Sequence, residues 1–385
     1  MPRRVQLTHK RLRVETLRRT NSPYPGNGFF SIYQYPIKTG IAQRIKETKI
    51  TYNPDDITKS VTTVTTYQYQ NAANRYITEA SVTTSDGTGN DITKITRLKY
   101  PQDVSGAVQT AMINKNMLTP IIEEKSYKSV SGTETLLSTI QTDYKQTGNL
   151  IVKDKIKSSL GVAIPENRIE FNGFDANCNL LEQQKANDVK QSYIWDYNSA
   201  YPIAQVINSP VTDIAHTSFE ADSKGNWTYT GTPAADATAP TGKKAFTIVN
   251  SASNITKSGL STTTTYIVSY WKKSGTVAVN GTTAVTGKTI NGWTYYEHKV
   301  VNPSGGLITV SGTNGIIDEL RLYPITAQMT TYTYEPLIGM TSQTDPSGKV
   351  ITYEYDGFGR LKSIRDKDGN IIKTMDYQYQ QTNNQ

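Results

Sequence analysis

The sequence predicts an all-β protein, and three observations carry that prediction. Tyrosines recur two residues apart, as in Tyr332-Thr-Tyr334, Tyr353-Glu-Tyr355 and Tyr377-Gln-Tyr379. Side chains on a strand alternate faces with period 2, so each pair lies on one side of a strand. Between the pairs stand the turn clusters Asp345-Pro346-Ser347-Gly348, Asp356-Gly357-Phe358-Gly359 and Asp366-Lys367-Asp368-Gly369-Asn370. Asp-Gly between strands signals a hairpin, because glycine reaches positive φ without steric cost. Threonine and tyrosine abound, with 25 Tyr against 7 Phe, and the best helical candidate is the short stretch Gln102 to Met117. That composition favours sheet.

The unit is strand, tight turn, strand, recurring at twenty-odd residues, within the range of repeat architectures. Tyr353, Tyr355, Asp356, Gly357, Gly359, Arg360 and Leu361, followed by Asp366-Lys367-Asp368-Gly369-Asn370, resemble an Rhs repeat, also called a YD repeat. The resemblance implies bacterial secreted or surface proteins whose repeats wind into a large β-shell, similar to teneurins and the toxin-complex cocoon proteins. It implies a structural role for these seven residues, and as partners the rest of a longer shell or a cargo toxin. The family's C-terminal core signature is absent, since Asp345-Pro346-Ser347-Gly348 continues into Lys349-Val350. On this reading the chain is a partial shell, and its outer strands should leave sheet edges that promote self-association.

Taken in order, residues 1–27 form a basic lead-in that ends in the turn-rich Asn21-Ser22-Pro23-Tyr24-Pro25-Gly26. This stretch reads as an unpaired strand or a solvated tail. Residues 28–210 are strand-rich, with candidates at Ile45 to Tyr52, Val61 to Tyr69 and Ile92 to Tyr100, the last stopped by Pro101. Asp86 to Asn90 reads as a hairpin loop. The repeat reappears in degraded form around Tyr144 to Leu150, Phe171 to Leu180 and Tyr193 to Ile203.

Residues 211–326 have another texture. After the loop Ala221 to Pro240 come short strands at Lys244 to Val249, Thr264 to Trp271, Gly292 to Val301, Leu307 to Ser311 and Ile316 to Tyr323. Short strands with Gly and Ser at the joins predict a two-sheet sandwich, a jelly roll. Phe219-Glu220 and the strand Ile317-Asp318-Glu319-Leu320-Arg321-Leu322-Tyr323 resemble those of a carbohydrate-binding-module jelly roll. The YD pattern then resumes over residues 327–385, so the jelly roll is inserted in the repeat sheet. Such insertion is easy at a loop tip when the guest has its own core and adjacent termini.

The net charge is +8, and residues 1–19 hold seven of the basic side chains against Glu15 alone. The remainder is close to neutral, and no aromatic-basic interleaving follows, so nucleic acid is not an expected partner. Cys178 is the single cysteine, so no intrachain disulfide can form. No apolar run approaches the roughly 18 residues of a spanning helix. The N-terminus has no signal-peptide pattern, and the expected setting is an internal piece of a longer secreted or cell-surface chain.

No motif for catalysis stands out. His9, His216 and His298 are isolated, and no metal-binding spacing, nucleophile elbow or phosphate loop occurs. His298 reads as an exposed strand position. Asp318 and Glu319 are adjacent, so on a regular strand they point to opposite faces and do not act together. A non-catalytic protein is therefore expected, with a glycan-active enzyme as a remote alternative. The jelly-roll resemblance implies a structural calcium ion held by Glu220 and Asp318. A glycan-binding adhesin is the other alternative, through Trp271, Trp293, Tyr295 and Tyr296. Such binding needs exposed aromatic faces. One of Tyr270 and Trp271 should then face solvent, because neighbours on a strand point opposite ways.

Overall fold

A computed structural model of the chain describes residues 5–17, 29–41, 43–72, 74–85 and 91–378, with the backbone alone for 5–17, 29–41 and Ser85. The boundary turn at Asn21 to Gly26, the loop Asp86 to Asn90, Tyr379 and the closing Gln380 to Gln385 lie outside the described residues. The protein is all-β, as expected. It divides into two compact units, Met1–Thr142 with Ser158–Glu166, and Asp143–Lys157 with Asn167–Gln385.

In the first unit, Val5–Leu17 (β1) pairs along its whole length with Phe29–Ile41 (β2). The basic lead-in is thus a paired strand over those residues, contrary to the unpaired one expected. Lys46–Asn53 (β3), Asp56–Gln68 (β4), Glu79–Ser85 (β5), Asp91–Lys99 (β6), Glu123–Val130 (β7) and Thr133–Thr147 (β8) follow, each antiparallel to the next. Pro101 starts a single 3₁₀ turn where β6 stops, and the helical candidate narrows to Ala107–Asn114 (α1).

The second unit contains the candidate repeats. Its strands are Leu150–Leu160 (β9, whose last residues belong to the first unit), Glu166–Phe174 (β10), Leu180–Lys185 (β11), Lys190–Asp196 (β12) and Tyr201–Ile207 (β13). An insert then supplies Ala215–Thr217 (β14), Ala234–Ala235 (β15), Lys244–Ile248 (β16), Ile255–Lys257 (β17), Thr265–Val279 (β18), Ala284–Ile290 (β19), Trp293–Val301 (β20) and Ile308–Pro324 (β21). The sheet resumes with Gln328–Glu335 (β22), Gly339–Thr344 (β23), Val350–Tyr355 (β24), Leu361–Arg365 (β25) and Ile371–Thr374 (β26).

The register shows that the insert leaves this sheet unbroken. β13 pairs directly with β22, Ala204 opposite Thr331 and Ile207 opposite Gln328, although 120 positions separate the strands. Antiparallel pairing then runs from β22 through β26. One sheet face is a stripe of buried hydroxyls, Thr331, Thr333, Ser342, Thr344 and Ser363. The other carries tyrosines that alternate with glutamines across strands. Tyr332 Oη donates to Gln205 Oε1 at 3.4 Å, and Tyr353 Oη to Gln343 Oε1 at 3.3 Å. The tyrosines that share this face thus form a mixed tyrosine–glutamine ladder.

Within the insert, β21 takes β14, β16 and β17 on one edge and β18 on the other. The separate strands expected at Leu307 to Ser311 and Ile316 to Tyr323 are one strand, and β18 runs on to Val279 instead of stopping at Trp271. Register shifts at Ser269/Trp271, Lys272/Ser274 and Ser274/Thr276 accommodate these long strands, since each bulge bends its strand. Phe219, Trp227, Phe246, Tyr266, Tyr270 and Leu320 fill the core of the insert. A second cluster joins it to the sheet: Ile267 and Tyr323 of the insert pack with Ile203, Val206 and Met329.

Candidate functional site

The turns of the repeat are built by one carboxylate each. Asp356 Oδ1 accepts the amides of Phe358 and Arg360 at 2.9 and 3.0 Å, while its backbone N–H donates to Arg360 O at 2.9 Å. Arg360 returns its guanidinium to Asp356 Oδ2, with Nη2 at 2.6 Å. Gly359 closes the turn at φ +73°, in the left-handed region. Asp345 and Asp366 repeat the pattern over Ser347/Lys349 and Asp368/Asn370. So does Asp175, over Asn177 and Asn179 at 2.8 Å each, with Cys178 at φ +66° in the position glycine holds elsewhere. The degraded unit at Phe171 to Leu180 thus has the same turn geometry. Tyr353, Tyr355 and Leu361 flank the Asp356 turn on β24 and β25, with Tyr355 opposite Leu361 across a bulge.

Residues 339–371 match the RHS repeat family model. The chain carries an RHS repeat. No curated protein matches the chain. The matched residues cover β23 to the first residue of β26, and so include the Asp345, Asp356 and Asp366 turns. Among the described residues no helix is long and apolar enough to cross a membrane.

Beside the RHS repeat, the insert meets the sheet through buried polar groups. Glu319 sits at φ +55°, and the register jumps from Ser269↔Arg321 to Trp271↔Asp318, so two β21 residues oppose Tyr270. The extra residue breaks the alternation of faces. Asp318 and Glu319 are both buried and reach the same hydroxyl, Thr241 Oγ1, which lies 2.9 Å from Asp318 Oδ2 and 3.3 Å from Glu319 Oε2. The expectation that they point apart is corrected here. Burial pushes the Asp318 carboxyl well above the ordinary carboxylate range, and the neighbouring Glu319 adds to the shift.

The other side of Glu319 belongs to the sheet, where its Oε1 accepts the Thr331 hydroxyl of β22. His216 is fully buried, with Nε2 3.9 Å from Glu319 Oε2, beyond hydrogen-bond reach. Arg321, 1% exposed, donates to Asp345 O at 3.0 Å and to Tyr323 Oη at 3.2 Å. An arginine of the insert therefore holds a turn of the RHS repeat. Asp196, the last residue of β12, accepts the Ser223 amide at 2.9 Å and its hydroxyl at 2.5 Å.

The expected calcium ligands, Glu220 and Asp318, both bind the segment Thr241 to Lys244. Glu220 lies over Gly242, at φ +64°, where a Cβ would collide with the carboxylate. Its Oε1 accepts the Lys243 amide at 2.7 Å and the Lys244 amide as well. That is a nest of N–H donors, which suits an anion. Asp318 Oδ2 accepts Thr241 N and Oγ1, and its Oδ1 accepts the Glu319 amide at 2.7 Å. Protein donors thus reach Glu220 Oε1 and both Asp318 oxygens. Among the described residues no three His, Cys, Asp or Glu side chains are grouped to hold a metal.

The four candidate sugar-binding rings do not form an exposed platform. Trp293 is fully buried, with Nε1 3.1 Å from Thr238 Oγ1, and Trp271 is buried beside it with Ala245. Tyr270 is buried in the main core, so both faces of β18 are covered and neither neighbour faces solvent. Tyr295 packs edge-on against Trp271 at 5.5 Å, and its phenol is pushed up to about 12 by burial. Tyr296 stacks on Tyr270 at 5.8 Å beneath Lys272. His298 is buried too, bonded to Tyr270 Oη at 3.0 Å and Thr282 Oγ1 at 2.9 Å. The exposed position expected for it is covered by the neighbouring strands and the Thr282 turn.

The open feature lies elsewhere. A groove of about 980 Å³ runs where the insert meets the sheet, lined among others by Tyr201, Asp222, Lys243, Tyr334, Leu337 and Tyr355. Tyr201 and Tyr334 stack at 4.7 Å on its wall, and Lys243 pairs with Glu335 at 3.0 Å on its rim. Sequence reasoning missed this groove, the Glu319–Thr331 bond and the role of Arg321. The available signal was three ionisable residues in the otherwise apolar run Ile317 to Tyr323.

Proposed function

We propose that this chain is a non-catalytic structural segment of a secreted or surface RHS-repeat protein, serving encapsulation of a toxin or contact at the cell surface. The observation that carries the reading is the direct β13–β22 pairing across the insert. A sheet that stays hydrogen-bonded through a 120-residue interruption is a scaffold that tolerates decoration. The insert, proposed as a jelly roll similar to carbohydrate-binding modules, is bolted on by the buried groups Glu319, Arg321 and Asp196. A carboxylate pair sealed this way serves as a joint.

A scaffold of this kind extends by adding strands. β26 is the outermost strand of its sheet among the described residues, and Ile371 and Ile372 are 54% and 58% exposed. An apolar, open outer strand is a template for a further strand. Sedimentation of the full chain should therefore show concentration-dependent association that Ile372→Lys weakens. A chain that remains monomeric at high concentration would count against the scaffold reading.

A further inference from the structure

We propose that the groove beside the RHS repeat binds an extended peptide segment, with an apolar side chain seated at Leu337 and cationic side chains beside Asp222 and Glu335. The first observation is Leu337 itself. It is 99% exposed, at the tip of the turn Glu335-Pro336-Leu337-Ile338, closed by the Ile338 amide donating to Glu335 O at 3.1 Å. Its φ is +68°, at the turn position that ordinarily takes glycine or asparagine. A bulky side chain there strains the backbone and packs against nothing in its own chain. Folding is therefore better served by glycine, and the leucine serves contact with something else.

The second observation is the chemistry around it. The groove wall carries five carboxylates, Glu220, Asp222, Glu335, Glu354 and Asp356, against the ammonium groups of Lys243 and Lys244. Arg360 and Arg365 hold Asp356 and Glu354 from outside the lining, while Glu335, its side chain 44% exposed, is paired with Lys243 on the rim, so a cationic partner meets Asp222 directly and competes with Lys243 for Glu335. Half-buried Tyr334 and Tyr355 supply ring faces on which guanidinium groups settle. The protein already uses that contact, with Arg360 4.4 Å from the Tyr377 ring centre. An apolar anchor beside carboxylates and rings matches a peptide bearing leucine and arginine better than a neutral sugar, which has no use for Leu337.

The test uses the full chain and a labelled nine-residue peptide, two arginines flanking a leucine pair in a glycine–serine background. Fluorescence anisotropy should show binding that weakens with added salt. Replacing the arginines by glutamates, or the leucines by serines, should abolish it. Leu337→Gly should weaken binding about tenfold or more, the loss of one buried leucine contact, while the melting temperature holds or rises. Lys243→Glu should tighten binding about fivefold, because it frees Glu335 and adds a charge. The proposal falls if the peptide does not bind. It falls equally if Leu337→Gly binds as well as the parent, if Lys243→Glu changes nothing, or if a neutral gluco-oligosaccharide occupies the groove instead.

Discussion

Glu319 of the insert and Thr331 of the repeat sheet are joined by a buried hydroxyl-to-carboxylate hydrogen bond, although twelve positions and a change of sheet separate them. A buried carboxylate stripped of a donor bears its desolvation penalty, about 1–3 kcal/mol or more. Thr331→Val keeps the shape and removes the hydroxyl, so it should lower unfolding stability by about that amount. Denaturant midpoints measure it. An unchanged midpoint would show that the hydroxyl is not needed at the joint.

The turn geometry separates in function two glycines that stand two positions apart. Gly359 sits at φ +73° in open space, whereas Gly357 has no left-handed backbone and equally open surroundings. Gly359→Ala should cost about 1–2 kcal/mol from the backbone alone, and Gly357→Ala should be neutral or slightly stabilising. Cys178, exposed and at φ +66°, is the same position filled by the wrong residue. Cys178→Gly should raise stability by about 1 kcal/mol. Thermal unfolding of the three variants in parallel checks the ordering.

His216 gives the joint a pH dependence. Burial lowers its pKa from 6.5, so the unfolded chain takes up the proton more readily than the folded one. Its contribution is complete above about pH 6.5 and is lost as pH falls through the depressed folded value. Asp318 acts with the opposite sign. Its raised pKa gives a contribution complete below 3.8 that is lost as pH rises through the folded value. Between pH 7.5 and 5.5 the parent should lose stability relative to His216→Leu, compared by urea midpoints. Parallel midpoints at both pH values would remove the histidine from the account.

Calcium supplies a fourth check. Because Glu220 Oε1 and both Asp318 oxygens already accept backbone N–H groups, adding calcium or a chelator should leave the melting temperature of the full chain unchanged. A calcium-dependent rise would mean that the Thr241 to Lys244 segment rearranges around the ion.

Much of the fold was legible because its signals are local. The tyrosine spacing placed Val350–Tyr355, and Asp356 with Gly359 fixed the turn that follows, since an Asx carboxylate and a left-handed glycine need only their own neighbours. The interruption between Ile207 and Gln328 was legible for the same reason, as a loss and return of that pattern. The candidate sites were not. Trp271 and Tyr270 do alternate across β18, but the faces of a strand become buried or exposed only when other strands arrive. Here the Trp293 cluster covered the outer face.

The sequence by itself determined that this protein is a β-sheet of Asp-turn hairpins interrupted by a second β-segment, because period and turn chemistry act over a few residues. The tertiary structure decided which acids meet. One extra residue in β21, at Glu319, turned neighbours expected to face apart toward a common hydroxyl and joined the insert to Thr331. A bulge is set by what two strands must pack against, and no count along one strand reveals it.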